Sequence, residues 1–160
     1  MSGQLTHFDS SGASRMVNVG SKEITERMAR AQAFVSMEPA TLKLIQDRQF
    51  AKGDVLEVAR LAGIMATKQT QNLIPLCHSL GLDSASIDYE FVGDRRVRIE
   101  ARVSNHGRTG VEMEAMTAVS IAALTVYDMC KAVDRWMSIG PMELLEKSGG
   151  KSGHLERSAQ

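Results

Sequence analysis

Large aromatic anchors are nearly missing from this sequence: one Trp, two Tyr and four Phe make up only 4% of its 160 residues. A core built on ring packing is thereby excluded. Ala, Val, Met and Gly must fill the interior, a composition suited to close backbone approach or to completion of the core by a neighbouring subunit. Cysteine is equally sparse, with Cys77 and Cys130 forming no CxxC pair and no dense framework. That excludes a disulfide scaffold and points to a reducing compartment. Charge of one sign is not in excess, because nineteen Lys plus Arg balance nineteen Asp plus Glu. No global field draws the chain to nucleic acid or to an anionic membrane, so any anion site must come from local clustering. Apolar runs stay well short of the roughly 20 residues a membrane helix needs, and the first 25 residues hold no signal-like stretch. The expectation is a cytoplasmic protein with one domain over 1–160, at a length that buries one good core and not two.

What is present begins with periodicity. Residues 1–21 and 148–160 are rich in Ser, Gly and polar side chains, and both ends read as loop or disorder. From Arg27 to Met37, Ala29, Ala31, Ala33, Val35 and Met37 alternate with polar residues, a strand period that competes with alanine's helix preference. Pro39 can open a short helix carrying Leu42, Leu44 and Ile45. Asp54 and Glu57 form a capping pair ahead of Val55, Val58, Ala59, Ala62, Met65, Ala66 and Gln69 at helical spacing. Pro75 then opens the loop LIPLCHSLGL. Ile87–Phe91 and Val97–Val103 alternate as a hairpin, TGVEM at 109–113 reads as a short extended piece, and a nearly uncharged helix follows from about Ala115 to Val133. A last apolar run around Pro141 fits an edge strand. The order β-α-α-β-β-β-α-β predicts an α+β sandwich with an antiparallel sheet against helices.

Several residue groups could carry chemistry. On a strand, Glu112 and Glu114 would share one face; taken alone, they read as a solvated face. Asp128 and Lys131 lie three apart on the apolar helix, within ion-pair reach. By themselves they read as an ordinary surface pair, yet an acid and an amine held beside apolar surface can also have the shifted proton affinities that acid/base work requires. Cys77 and His78 are adjacent, and adjacent loop residues seldom ligate one ion, so no metal site is expected. A Cys77 nucleophile is a rival reading, and His78 as a core-satisfied side chain is the plain one. KSGGKSG at 147–153 imitates a phosphate loop, but the Gly required at 145 is Leu145 and no helix follows. Lys52, Lys68, Lys147 and Lys151 stand beside glycine-rich turns and could serve a polyphosphate, though each singly reads as a surface lysine.

The segments KGDV at 52–55, LIPLCH at 73–78, TGVEMEA at 109–115, YDMCKA at 127–132 and KSGGKSG at 147–153 together, in order and spacing, resemble the cyclic pyranopterin monophosphate synthase family of the MoaC type. The resemblance runs from about Met16 to Gly153. It implies a ferredoxin-like subunit assembled as a homohexamer, a trimer of dimers with active sites where subunits meet. It implies as substrate the cyclised dihydro-GTP made by a radical SAM partner, with no redox cofactor and with magnesium on the triphosphate left open. Matched by position, Asp128 and Lys131 correspond to the catalytic pair, while Leu76, Cys77, His78, Met113 and Glu114 fall at substrate contacts. Lys52, Glu112 and Lys147 match further pocket positions, and Lys151 joins the lysines expected at the polyphosphate. Two departures stand out, Asn18 where the family usually has Asp and Ser79 where it usually has Pro. They bear on the level of activity. A nucleotide-binding oligomer without turnover remains the alternative from another class.

Overall fold

The structure is a computed structural model and describes residues 7–9, 11–49 and 53–158. Its elements are β1 (Thr25–Ser36), α1 (Pro39–Gln46), α2 (Val55–Thr67), α3 (Thr70–Leu73), β2 (Ser84–Val92), β3 (Arg96–Gly107), α4 (Glu112–Cys130), β4 (Ser138–Ser148) and β5 (Leu155–Glu156). The five strands form one antiparallel sheet in the order β2-β3-β1-β4-β5. The helices α2 and α4 cover one of its faces, giving the α+β, ferredoxin-like sandwich.

β1 is a strand in spite of its alanines because its period matches the sheet. Ala29, Ala31, Ala33 and Val35 lie opposite Val103, Ala101, Ile99 and Val97 of β3, and all eight are sealed from solvent. Their small side chains let α4 approach closely through Ala115, Ala118, Ala122 and Ala123, which are sealed as well. By composition and length α4 passes for a membrane span, but it is the core helix of this sandwich. The other face of the sheet is a lattice of charge. Arg30 reaches Glu100 at 2.7 Å and Glu146 at 2.8 Å, Arg98 reaches Glu90 at 2.8 Å, and Gln32 donates to Glu143 at 2.9 Å. These pairs hold the Arg30 guanidinium firmly in its charged form.

Three local expectations change. TGVEM is not extended: Glu112 already belongs to α4, and the sealed Val111 is its N-cap. Carboxylates at 112 and 114 suit the positive end of a helix, which outweighs a strand alternation only a few residues long. The helix expected to run through Gln69 stops at Thr67, and the one-turn α3 follows. Nor does α4 reach Val133; Lys131 caps it, and residues 131–133 form a turn. Phe8 forms a bridge with Ser14, and the tail folds back so that Glu156 and Leu155 pair with Glu146 and Lys147. Because β5 covers only that end of β4, the stretch around Pro141 keeps the expected strandless outer side.

Candidate active site

The amino end of α4, the loop after α3 and the N-terminal segment meet around an open cleft of about 360 Å³. The cleft is lined by all six of the expected contact residues that lie in the loop and the helix start: Leu76, Cys77, His78, Glu112, Met113 and Glu114. Each is placed by local chemistry. His78 is fixed by a 2.6 Å hydrogen bond between its Nε2 and the Val17 carbonyl. A carbonyl oxygen only accepts, so Nε2 carries the hydrogen of this bond. The same bond ties the N-terminal segment over the cleft, where His7, Val17, Val19 and Lys22 join the lining. Asn18, one of the two departures, turns this segment by accepting from the Gly20 amide at 2.8 Å.

On a helix, residues two apart point roughly 200° away from each other. Glu112 and Glu114 therefore have different surroundings, contrary to the shared face expected of a strand. Glu112 folds back over Gly110 and pairs with the Lys147 ammonium, which β4 delivers from across the sheet. Glu114 is 4% exposed, and burial raises its carboxyl above the ordinary range. Its own backbone amide opposes that rise, and the charge of Glu112 adds a smaller upward push. Burial also pushes the Cys77 thiol up, helped by Glu114. A thiol held protonated is a poor nucleophile, which counts against the reading of Cys77 as a nucleophile. Beyond His78 and Glu114 the cleft continues into a smaller one of about 240 Å³ bordered by Lys68 and Gln71.

Asp128 and Lys131 do pair, Nζ to Oδ1 at 2.5 Å, and this hydrogen bond together with the Asp128 charge raises the Lys131 ammonium above its usual range. They lie at the far end of α4. Sixteen residues separate Asp128 from Glu112 along the helix, which is roughly 24 Å at 1.5 Å per residue. One copy thus does not bring its acid–amine pair to its own cleft. Lys151 is exposed on the turn beyond Gly149 and Gly150, and Lys52 lies outside the described residues. Among the described residues no group of three or more His, Cys, Asp or Glu could hold a metal.

Sequence reading did not find Lys22, which carries no periodic or motif signal, and it gave Thr109 and Gly110 no role although they open the TGVEMEA segment.

Together the sheet, the buried acid and the lysine-paired acid define a small α+β protein with a cleft lined by acids and bases. Residues 16–150 match the model of the MoaC family, and the chain belongs to that family. It is 58% identical to the cyclic pyranopterin monophosphate synthase of Magnetococcus marinus over 99% of this chain and 98% of that protein. It is 57% identical to cyclic pyranopterin monophosphate synthase 1 of Mycobacterium tuberculosis H37Rv, over 97% of this chain and 91% of the relative. With the synthase of Syntrophomonas wolfei it shares 58% identity, over 96% and 98% respectively.

Proposed function

We propose that this chain is a cyclic pyranopterin monophosphate synthase, a lyase of molybdenum cofactor biosynthesis. The observation that carries the reading is near-full-length similarity to synthases, at 57–58% identity, in a fold that gathers the Cys-His loop and the Glu112–Glu114 helix start around one cleft, with Lys147 paired to Glu112. The substrate is the cyclised dihydro-GTP supplied by a radical SAM cyclase. Opening and reclosing its rings moves protons at several heteroatoms. Cyclic phosphate formation then has a sugar oxygen attack the α-phosphorus while the bond to the β-phosphate breaks and pyrophosphate leaves. Electrons balance without a redox cofactor.

Lys131, held charged by Asp128, enters as a proton donor and becomes an acceptor once it has given its proton up. His78 and the two glutamates fix the ring system and sugar by hydrogen bonds, while Cys77, Leu76 and Met113 shape the wall. Lys147, Lys151 and Lys52 neutralise charge on the departing pyrophosphate. Since α4 holds the acid–amine pair roughly 24 Å from the cleft of its own copy, a second copy supplies it. Assembly as a hexamer of three such dimers fits the apolar side chains that one copy leaves outside, among them Leu61, Met65 and Leu124 on the helices and Trp136 beyond Lys131. The place of work is the cytoplasm.

The purified chain, given the cyclised dihydro-GTP, is expected to release pyrophosphate and to yield a pterin that fluoresces after oxidation. Lys131→Ala should lose both signals, by about 10²–10⁴ in rate, the usual span of one general acid–base group, while still binding substrate. A wild-type chain that binds the intermediate and releases nothing would replace the synthase with a nucleotide-binding oligomer.

A further inference from the structure

The single tryptophan of the chain, Trp136, is 94% exposed. The next most exposed large apolar side chains, Ile24 and Leu61, stop at 60%. Beneath this indole the backbone is fixed. Asp134, 8% exposed, accepts from the Glu38 amide at 2.9 Å, from the Thr41 hydroxyl at 3.3 Å and from the Trp136 amide at 3.2 Å. Tyr127 donates its hydroxyl to the Arg135 carbonyl at 3.2 Å, which ties the loop to the turn of α4 that carries Asp128. A braced loop that holds a large ring out in water presents the ring instead of packing it.

Trp136 has no apolar seat within its own copy. The open cleft it borders, about 380 Å³, is rimmed by Glu38, Arg95, Arg96 and the hydroxyls of Ser36 and Ser138. Nor does it reach the cleft at the amino end of α4. Trp136 precedes β4 at one end, while Lys147, beside Glu112, stands near the other. The eleven residues of β4 between them extend roughly 33 Å. Trp136 thus lies at the Lys131 end of the sandwich, and whatever surface receives the acid–amine pair receives the indole with it.

We infer that Trp136 enters the neighbouring copy's cleft together with Lys131 and lays its indole against the flat guanine-derived ring of the ligand. This rests on the synthase reading, both for the ligand and for the shared site. The receiving cleft suits a ring there, because Leu76 and the part-exposed Met113 line it. A thioether on one face of a heterocycle and an indole on the other hold it by dispersion, and its edge is left to the hydrogen bonds of His78 and Glu114. Trp136 on this account binds and orients; it transfers no proton.

With one tryptophan per chain, the fluorescence of the full-length protein reports on this ring alone. Without ligand, the indole should emit as a wet ring and be open to quenching by acrylamide. Saturating cyclised dihydro-GTP should shield it from acrylamide. In pyrophosphate release, Trp136→Ala should raise KM about tenfold, the scale of one base–ring stack, with a smaller loss in kcat, and Trp136→Phe should fall between. Since the ring touches so little of its own copy, neither variant is expected to disturb folding. An indole already shielded without ligand would seat Trp136 against protein between copies, and that overturns the inference. So would unchanged accessibility at saturation, or a wild-type KM in Trp136→Ala. The two proposals fail separately. Shielding by the ligand in a chain that releases no pyrophosphate would sink the synthase and spare the contact, whereas turnover with Trp136 left open to acrylamide would do the reverse.

Discussion

At the scale of single residues, Lys131 poses a question of protonation. Its partner Asp128 holds the ammonium charged and raises its pKa, and both side chains are more than half exposed in one copy. A raised lysine pKa means that whatever stability the pair contributes is present below the unfolded value and fades as pH climbs through the folded one. The same sign governs catalysis. With Asp128→Asn the ammonium loses the charge that favours it, so its pKa falls, and the alkaline limb of the kcat profile should move to lower pH. A limb that stays in place in the variant would assign it to another group. This pair was legible in the sequence because a spacing of three has only one meaning once the segment is a helix. The relation between Glu112 and Glu114 was not, since a few alternating residues fit a strand and a helix start alike, and only the N-cap at Val111 decides between them.

Among the elements, the contact of α2 with α4 sets how the core closes. Gly63 sits where the two helices meet the sheet, and a Cβ there would strike the end of Ile87 and lie 2.8 Å from the Ala118 carbonyl and 3.2 Å from the Ala122 Cβ. Alanine ordinarily gains about 1 kcal/mol over glycine within a helix. Overpacking costs about 1–3 kcal/mol, and the carbonyl belongs to the backbone of α4, which cannot step aside as a side-chain tip can. Crowding wins, so Gly63→Ala should lower the melting temperature, by about 2–4 °C for each kcal/mol lost in a chain of this size; a higher melting temperature would show that the helices have room to part. The alternation in β1 revealed its strand against alanine's own preference because Ala29, Ala31, Ala33 and Val35 recur at a period of two, and all four are sealed. The N-terminal segment showed no such period. It is held by single bonds such as His78 to the Val17 carbonyl and by the Phe8–Ser14 bridge, and contacts of that kind leave no repeat to read.

Across the whole molecule, the length of α4 is the fact with the widest reach. Under the proposed shared site, a helix that carries Glu112 at one end and Lys131 at the other would make each copy a donor of one half-site and an acceptor of another. Shared sites of this kind can be rebuilt from broken parts. Lys131→Ala leaves a sound cleft on a copy whose acid–amine pair is disabled, and His78→Ala leaves a sound pair on a copy whose cleft is impaired. Each variant alone should be nearly inactive. Mixed, partly unfolded and refolded together so that subunits exchange, they should form junctions in which both defects fall at one site and the other site is intact. If two copies pair at random, about one site in four is then whole, and activity should return to about a quarter of the wild-type value. Sites completed within one chain would leave every site carrying one lesion or the other, so a mixture as inactive as its parents, with subunit exchange verified by mass, would mean that α4 does not hand its acid–amine pair to a neighbour.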